Sequence, residues 1–266
     1  MIKLVITDID KTLLNDDEII TKENIRAIKL LKEKNILFGV ASGRAEASIK
    51  KITKEFEIYD DIDFIIGSNG VSLYEKTNNE HFYGKQLKGE VIKQVYDYLR
   101  DLDVAFVVHK DDTMLSSKIT DYTNTEKNSN QYEQIEVEDF HSVLDRDYPK
   151  LMIIGQEEIL QEAINRLKEY SSPDFDFFKT FPIYLELVSK NISKGEMLKL
   201  LCDKYNISLK EVLSIGDNYN DLDMIKVSGY GVAVGNAVDT LKKHAKLIVG
   251  TNNENGVAEA IESYIK

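Results

Sequence analysis

The sequence predicts the α/β fold class, as a parallel-sheet core interrupted by an inserted α+β module. Three observations predict it. The opening run around Leu4-Val5-Ile6 is aliphatic and carries no helical period, as in a strand buried on both faces of a parallel sheet. Strands and helices alternate through the first third of the chain and alternate again from about residue 193 to the end. Between these stretches the rhythm becomes strand, helix, strand, strand, helix, strand, the pattern of an antiparallel module open on one face. At 266 residues the chain suits two modest bodies. The expected division is a core of 1–79 with 190–266 and an insertion of 80–189.

Taken in order, the first strand ends in two carboxylates, Asp8 and Asp10. Thr21 is placed to cap a helix whose Ile25, Ile28 and Leu31 recur at helical spacing. The strand Ile36 to Ala41 ends in Ser42-Gly43-Arg44, a helix spans Glu46 to Phe56, and the strand Asp63 to Ile66 ends in Gly67-Ser68-Asn69-Gly70. Three β-α units in succession imply right-handed crossovers in one parallel sheet. Residues 71–87 read as a hairpin, Glu90 to Leu99 as a helix and Val104 to His109 as a strand. Residues 111–140 are polar and poorly patterned, with only Ile135 to Val137 weakly strand-like. The strand Lys150 to Ile154, the helix Glu157 to Tyr170 and the strand-like run Phe175 to Val188 complete the insertion. Ser193-Lys194-Gly195 then opens a helix, and the strand Val212 to Ile215 ends in Gly216-Asp217-Asn218-Tyr219-Asn220-Asp221. Helices at Leu222 to Val227, Val238 to Ala245 and Val257 to Ile265 alternate with strands at Gly231 to Val234 and Leu247 to Val249.

Composition narrows the function. A net charge of −12 and a pI near 4.9 argue against a general nucleic-acid binder, which needs basic surface to displace counterions. Anionic small substrates remain compatible, because a local site can be positive on an acidic protein. The single cysteine, Cys202, lies in a helical run with no histidine near it in sequence and reads as a core residue. No run of eighteen apolar residues and no signal-like leader appears, so a cytoplasmic protein with no membrane role is expected.

Asp8 and Asp10, Ser42 and Gly43, Lys194, and Asp217 with Asn220 and Asp221 all fall at strand carboxyl ends or helix starts. On one parallel sheet they share the edge where ligands bind. Together they are what phosphoryl transfer needs: a carboxylate nucleophile, oxygen ligands for a divalent metal, hydroxyl and backbone donors, and a lysine. Singly, each also has a bland reading. Asp favours turns, Ser-Gly turns are common, and a lysine at a helix start is ordinarily solvated.

Four segments, Asp8-Ile9-Asp10-Lys11-Thr12-Leu13-Leu14, Ala41-Ser42-Gly43-Arg44, Ser193-Lys194-Gly195 and Gly216 to Asp221, resemble in order the four motifs of the haloacid dehalogenase-like superfamily. Val232 to Ala237 and Asn255-Gly256-Val257-Ala258 resemble its Cof-type phosphatase branch. The resemblance implies a Rossmann-like catalytic core and an inserted α+β cap that sets substrate specificity. It departs at Lys11, where the family usually has Gly, so that Asp10-Lys11-Thr12 looks like the phosphorylation motif of P-type pumps. In both groups a Thr stands four residues after the nucleophile, which selects Asp8 by way of Thr12.

By resemblance, Asp8 is the nucleophile and Asp10 the general acid and base. Mg²⁺ is held by Asp8, the Asp10 carbonyl and Asp217, while Asp221 orders a metal-bound water from outside the coordination sphere. The backbone N–H groups of Ile9 and Gly43, with Ser42, Lys194 and Asn220, grip phosphate oxygens. Arg44 is assigned to the surface or to the cap side. The implied activity is hydrolysis of a small phosphorylated metabolite, sugar phosphates favoured, with a phosphomutase or a non-catalytic sensor as alternatives. His109, Lys110, Tyr184 and Glu186 are cap positions whose orientation the sequence leaves open, and so is the oligomeric state.

Overall fold

The computed structural model of the protein describes residues 1–110, 113–130 and 132–265. They divide into two compact units, Met1–Phe82 with Ser193–Lys266, and Tyr83–Ile192. The first unit begins with β1 (Leu4–Thr7), all four residues buried, and a tight turn over Ile9–Leu13. α1 (Lys22–Glu33) starts where the Thr21 hydroxyl accepts the Asn24 N–H at 3.3 Å. It buries Ala27, Ile28 and Leu31, one apolar stripe, each large side chain contributing roughly 1.5–3 kcal/mol of burial. β2 (Leu37–Ala41), α2 (Glu46–Glu55) and β3 (Phe64–Gly67) follow, then β4 (Ser72–Glu75), antiparallel to β3, and its neighbour β5 (Glu80–Tyr83). Because β5 extends this unit's sheet, its first segment runs to Phe82 and not 79.

The second unit holds α3 (Gly89–Leu99), β6 (Ala105–Lys110), β7 (Thr113–Ser116), α4 (Asp121–Asn130), β8 (Glu133–Glu136), β9 (Lys150–Ile154), α5 (Glu157–Tyr170), β10 (Phe175–Phe181) and β11 (Tyr184–Ser189). Its sheet runs β10-β11-β9-β6-β7-β8, antiparallel except for the parallel β7–β8 pair. Phe106, Val108, Leu151, Ile153, Leu185 and Leu187 face a core built with the apolar sides of α3 and α5. The stretch 111–140, polar and poorly patterned in sequence, contains β7 and α4, while Asp111, Asp112 and Gln131 lie outside the described residues. α4 escapes a periodicity search because its buried positions include Thr123 and Glu126. The sheet's second face is not open either: Tyr122 of α4 and Tyr132 pack there against Val107, Met114, Met152 and Tyr184.

The first unit resumes with α6 (Lys194–Lys204), β12 (Val212–Gly216), α7 (Leu222–Val227), β13 (Tyr230–Ala233), α8 (Asp239–Lys242), β14 (Leu247–Ile248) and α9 (Gly256–Tyr264). Its sheet runs β14-β13-β12-β1-β2-β3-β4-β5, and the first six strands are parallel. From β1 the chain proceeds outward through β2 and β3, and from β12 outward the other way through β13. The carboxyl ends of β1 and β12 therefore flank a topological switch point, where such sheets form a ligand crevice. Among the described residues no helix is long and apolar enough to cross a membrane.

Candidate active site

β1 delivers Asp8 to the switch point, where its N–H continues the ladder to the Ile215 carbonyl at 2.9 Å. Ser193 caps α6 by accepting the Glu196 N–H at 3.2 Å, which starts the helix at Lys194 and turns that side chain inward. The Lys194 ammonium donates to Asp8 Oδ1 and to Asp221 Oδ1, both at 2.6 Å, and is completely buried. An ammonium has three protons, so one remains after these bonds. Burial opposes the charge on Lys194, but Asp221 and Asp8 outweigh it and raise the pKa.

The remaining oxygen of Asp221 is fully used, accepting the backbone N–H of Asp217 at 3.0 Å and of Asn218 at 3.1 Å. Asp221 thus closes the turn that aims Asp217. Gly216 makes room for it, since a Cβ there would stand 2.6 Å from Asp221 Cβ. Asp217 keeps more freedom, with Oδ1 accepting from the Thr12 hydroxyl at 3.1 Å. Burial, and then the nearby Asp221 carboxylate, push Asp217 up to about 6. Burial likewise holds Asp8 well above the carboxylate range, despite Lys194.

Oxygens of Asp8, Asp217 and Asp221 lie within 4.8 Å of one another. With all three carboxyls ionised, the form a bound cation would favour, three carboxylates against one ammonium leave two negative charges, the complement of a divalent cation, and an all-oxygen donor set suits a hard one. Asp221 accepts three hydrogen bonds where Asp8 and Asp217 accept one each, so Asp8 and Asp217 keep the most lone pairs for a cation.

The turn after Asp8 explains the lysine. Lys11 adopts φ 59°, a left-handed backbone that glycine enters without strain. Its carbonyl accepts from Asn236 Nδ2 at 2.8 Å, and Asn236 Oδ1 in turn accepts the Asn252 N–H at 2.9 Å. The Lys11 ammonium points outward to Asp16 at 2.8 Å, both side chains more than half exposed.

At the end of β2, Ser42 is buried and its hydroxyl accepts the Arg44 N–H at 3.1 Å. Gly43 lies against Asn69, whose Oδ1 accepts from Asn220 Nδ2 at 2.9 Å. Sequence reasoning left Arg44 at the surface or on the cap side and gave it no partner. Its guanidinium does not face solvent alone but grips Asp10, with Nε 3.0 and 2.9 Å from the two carboxylate oxygens and Nη2 2.6 Å from Oδ1. Thr12, Asn69 and Asn236 were also not assigned to the site. Asn69 had a usable signal, its place at the end of a parallel strand. Ile9 is buried within the turn.

A profile of haloacid dehalogenase-like hydrolases matches residues 5–261. The chain is similar to the 5-amino-6-(5-phospho-D-ribitylamino)uracil phosphatase YwtE of Bacillus subtilis, at 28% identity over 99% of this chain and 98% of that one. Among solved structures it is similar to a haloacid dehalogenase-like hydrolase from Bacteroides thetaiotaomicron, at 31% identity, full coverage of both chains (100% each) and a TM-score of 0.84. It is also similar to a Thermotoga maritima protein, at 29% identity over 99% of this chain and 97% of that one, with a TM-score of 0.85. Fold and relatives together define a phosphatase-class hydrolase. The chain belongs to the haloacid dehalogenase-like hydrolase family.

Proposed function

We propose that the protein is a Mg²⁺-dependent phosphatase of small phosphorylated metabolites, sugar phosphates favoured, acting through an aspartyl-phosphate on Asp8. The observation that carries this reading is the group of Asp8, Asp217 and Asp221, the first and last buried and Asp217 half-buried, beside the buried Lys194. Asp8 attacks phosphorus in line, and the P–O bond to the leaving group breaks. Asp10 protonates the departing oxygen and later takes a proton from the attacking water. Asp8, Asp217 and the Asp10 carbonyl hold the cation, which supplies charge neutralisation at the phosphoryl oxygens when bound. Lys194 keeps Asp8 aligned and has a proton left for phosphate, while Ser42, Asn220 and the N–H groups of Ile9 and Gly43 complete the cradle.

The Bacillus subtilis relative is named for a phosphorylated ribityl compound, which supports a polyhydroxylated phosphate ester as substrate class. The inserted unit is assigned the choice among such esters. The test is phosphate release from an aryl phosphate with and without Mg²⁺, for wild type and Asp8→Asn. Activity should need the metal and vanish in the variant; activity without metal, or retained by Asp8→Asn, overturns the mechanism. Isomerised hexose phosphate as the product, in place of inorganic phosphate, would overturn hydrolysis in favour of a mutase.

A further inference from the structure

We propose that Arg44 is the positioning residue for the proton donor, holding the Asp10 carboxylate against the scissile oxygen. The inference rests on the assignment of Asp10 as general acid. Asp10 itself is weakly held: its side chain is 47% exposed and stands in a turn whose next residue has a left-handed backbone. A short carboxylate at such a place samples several rotamers unless something fixes it. Arg44 does so through three hydrogen bonds to the two oxygens. A guanidinium remains charged throughout the working pH range, and when Oδ2 of Asp10 carries the proton destined for the leaving group, Oδ1 still accepts from Nη2 at 2.6 Å and Nε at 3.0 Å, so the grip survives protonation.

The clamp is itself anchored. The Arg44 N–H donates to Ser42 Oγ at 3.1 Å, and its carbonyl accepts the Ser68 N–H at 2.9 Å. Its backbone therefore ties the end of β2 to the end of β3. On the other side, the turn that bears Asp10 is pinned through the Lys11 carbonyl to Asn236. Two backbone positions fixed independently converge on one ion pair, with 26% of the Arg44 side chain exposed. Arg44 spends at least two of its five N–H groups on Asp10, which gives it a role apart from gripping phosphate.

General acid catalysis matters in proportion to how poor the leaving group is, so an aryl phosphate series separates the roles. The rate constant kcat/KM covers steps up to departure of the leaving group and excludes the later hydrolysis of the aspartyl-phosphate. For Arg44→Ala, kcat/KM on phenyl phosphate should fall about 100-fold, within the span attributed to a positioned acid, against less than about 5-fold on dinitrophenyl phosphate. Arg44→Lys, which keeps a donor but not the fork, should lie between. Melting curves and circular dichroism with Mg²⁺ establish that each variant is folded. A uniform loss across the series, or none, overturns the assignment of Arg44. Asp10→Asn is run alongside: if it leaves the leaving-group dependence unchanged, the reading of Asp10 as the acid fails. If it steepens that dependence while Arg44→Ala does not, only the positioning role is lost.

Discussion

Replacing His109 with Phe should flatten the acid sensitivity of the inserted unit. Neither ring nitrogen of His109 has a hydrogen-bond partner or exposure to solvent among the described residues. Burial, with a contribution from the Lys150 ammonium, depresses its pKa from 6.5 to about 3. Glu126 and Glu186 lie beyond Lys150, and the Lys150–Glu186 ion pair at 2.9 Å already occupies its charge. The folded state keeps the imidazole neutral while the unfolded chain protonates it near its ordinary value. Stability is therefore complete above that value and falls as pH drops toward the folded pKa. Between about pH 8 and about pH 5 the loss from this group is about 2 kcal/mol, from about 1.4 kcal/mol per unit of pH below the unfolded value. The chain has no Trp, so unfolding in guanidinium is followed by tyrosine signals, with hydrogen exchange of the β6 and β9 amides as the local readout. His109→Phe should lose about 2 kcal/mol less than wild type over that range. An unchanged difference would refute the argument that a sealed, neutral imidazole underlies the slope.

Gly216→Ala should place a methyl 2.6 Å from Asp221 Cβ, costing about 1–3 kcal/mol in melting experiments and lowering kcat by disturbing the turn that aims Asp217. Lys11→Gly should leave stability within about 1 kcal/mol and activity near wild type, because relief at φ 59° is offset by unfolded-chain entropy. Lys11→Val should be clearly worse than Lys11→Gly in both measurements, since a branched side chain opposes that backbone.

Much of the core was legible because its strands are uninterrupted apolar runs that stop at polar residues. β1 into Asp8 and β12 into Asp217 needed no tertiary information, and α5 follows its apolar period from Glu157 to Tyr170. α4 and β7 were illegible for a physical reason. Thr123, Glu126 and Ser116 are buried through polar pairing, such as Gln134 donating to Thr123 Oγ1 at 2.8 Å, and such pairing leaves no periodic trace. The partner of Arg44 was illegible for a related reason. It lies 34 residues away, and a guanidinium after Ser-Gly looks the same whether it meets water or a carboxylate. Lys11, an anomaly in sequence, becomes ordinary once its backbone angle and outward ammonium are seen.

The placement of β12 beside β1 also governs the order in which the protein comes into being. β1 leaves the ribosome well before one of its two neighbouring strands, β12, and before the Lys194 partner of Asp8, which lies 186 residues downstream. The inserted unit draws its strands and helices from one continuous segment, so its pairings need nothing synthesised after it, whereas those of its host do. Until β12 arrives, the apolar edge of β1 is unsatisfied and open to wrong partners, and Asp8 has no lysine. Seating β12 beside β1 and closing the Asp8–Lys194 pair therefore both wait for the segment that follows the inserted unit.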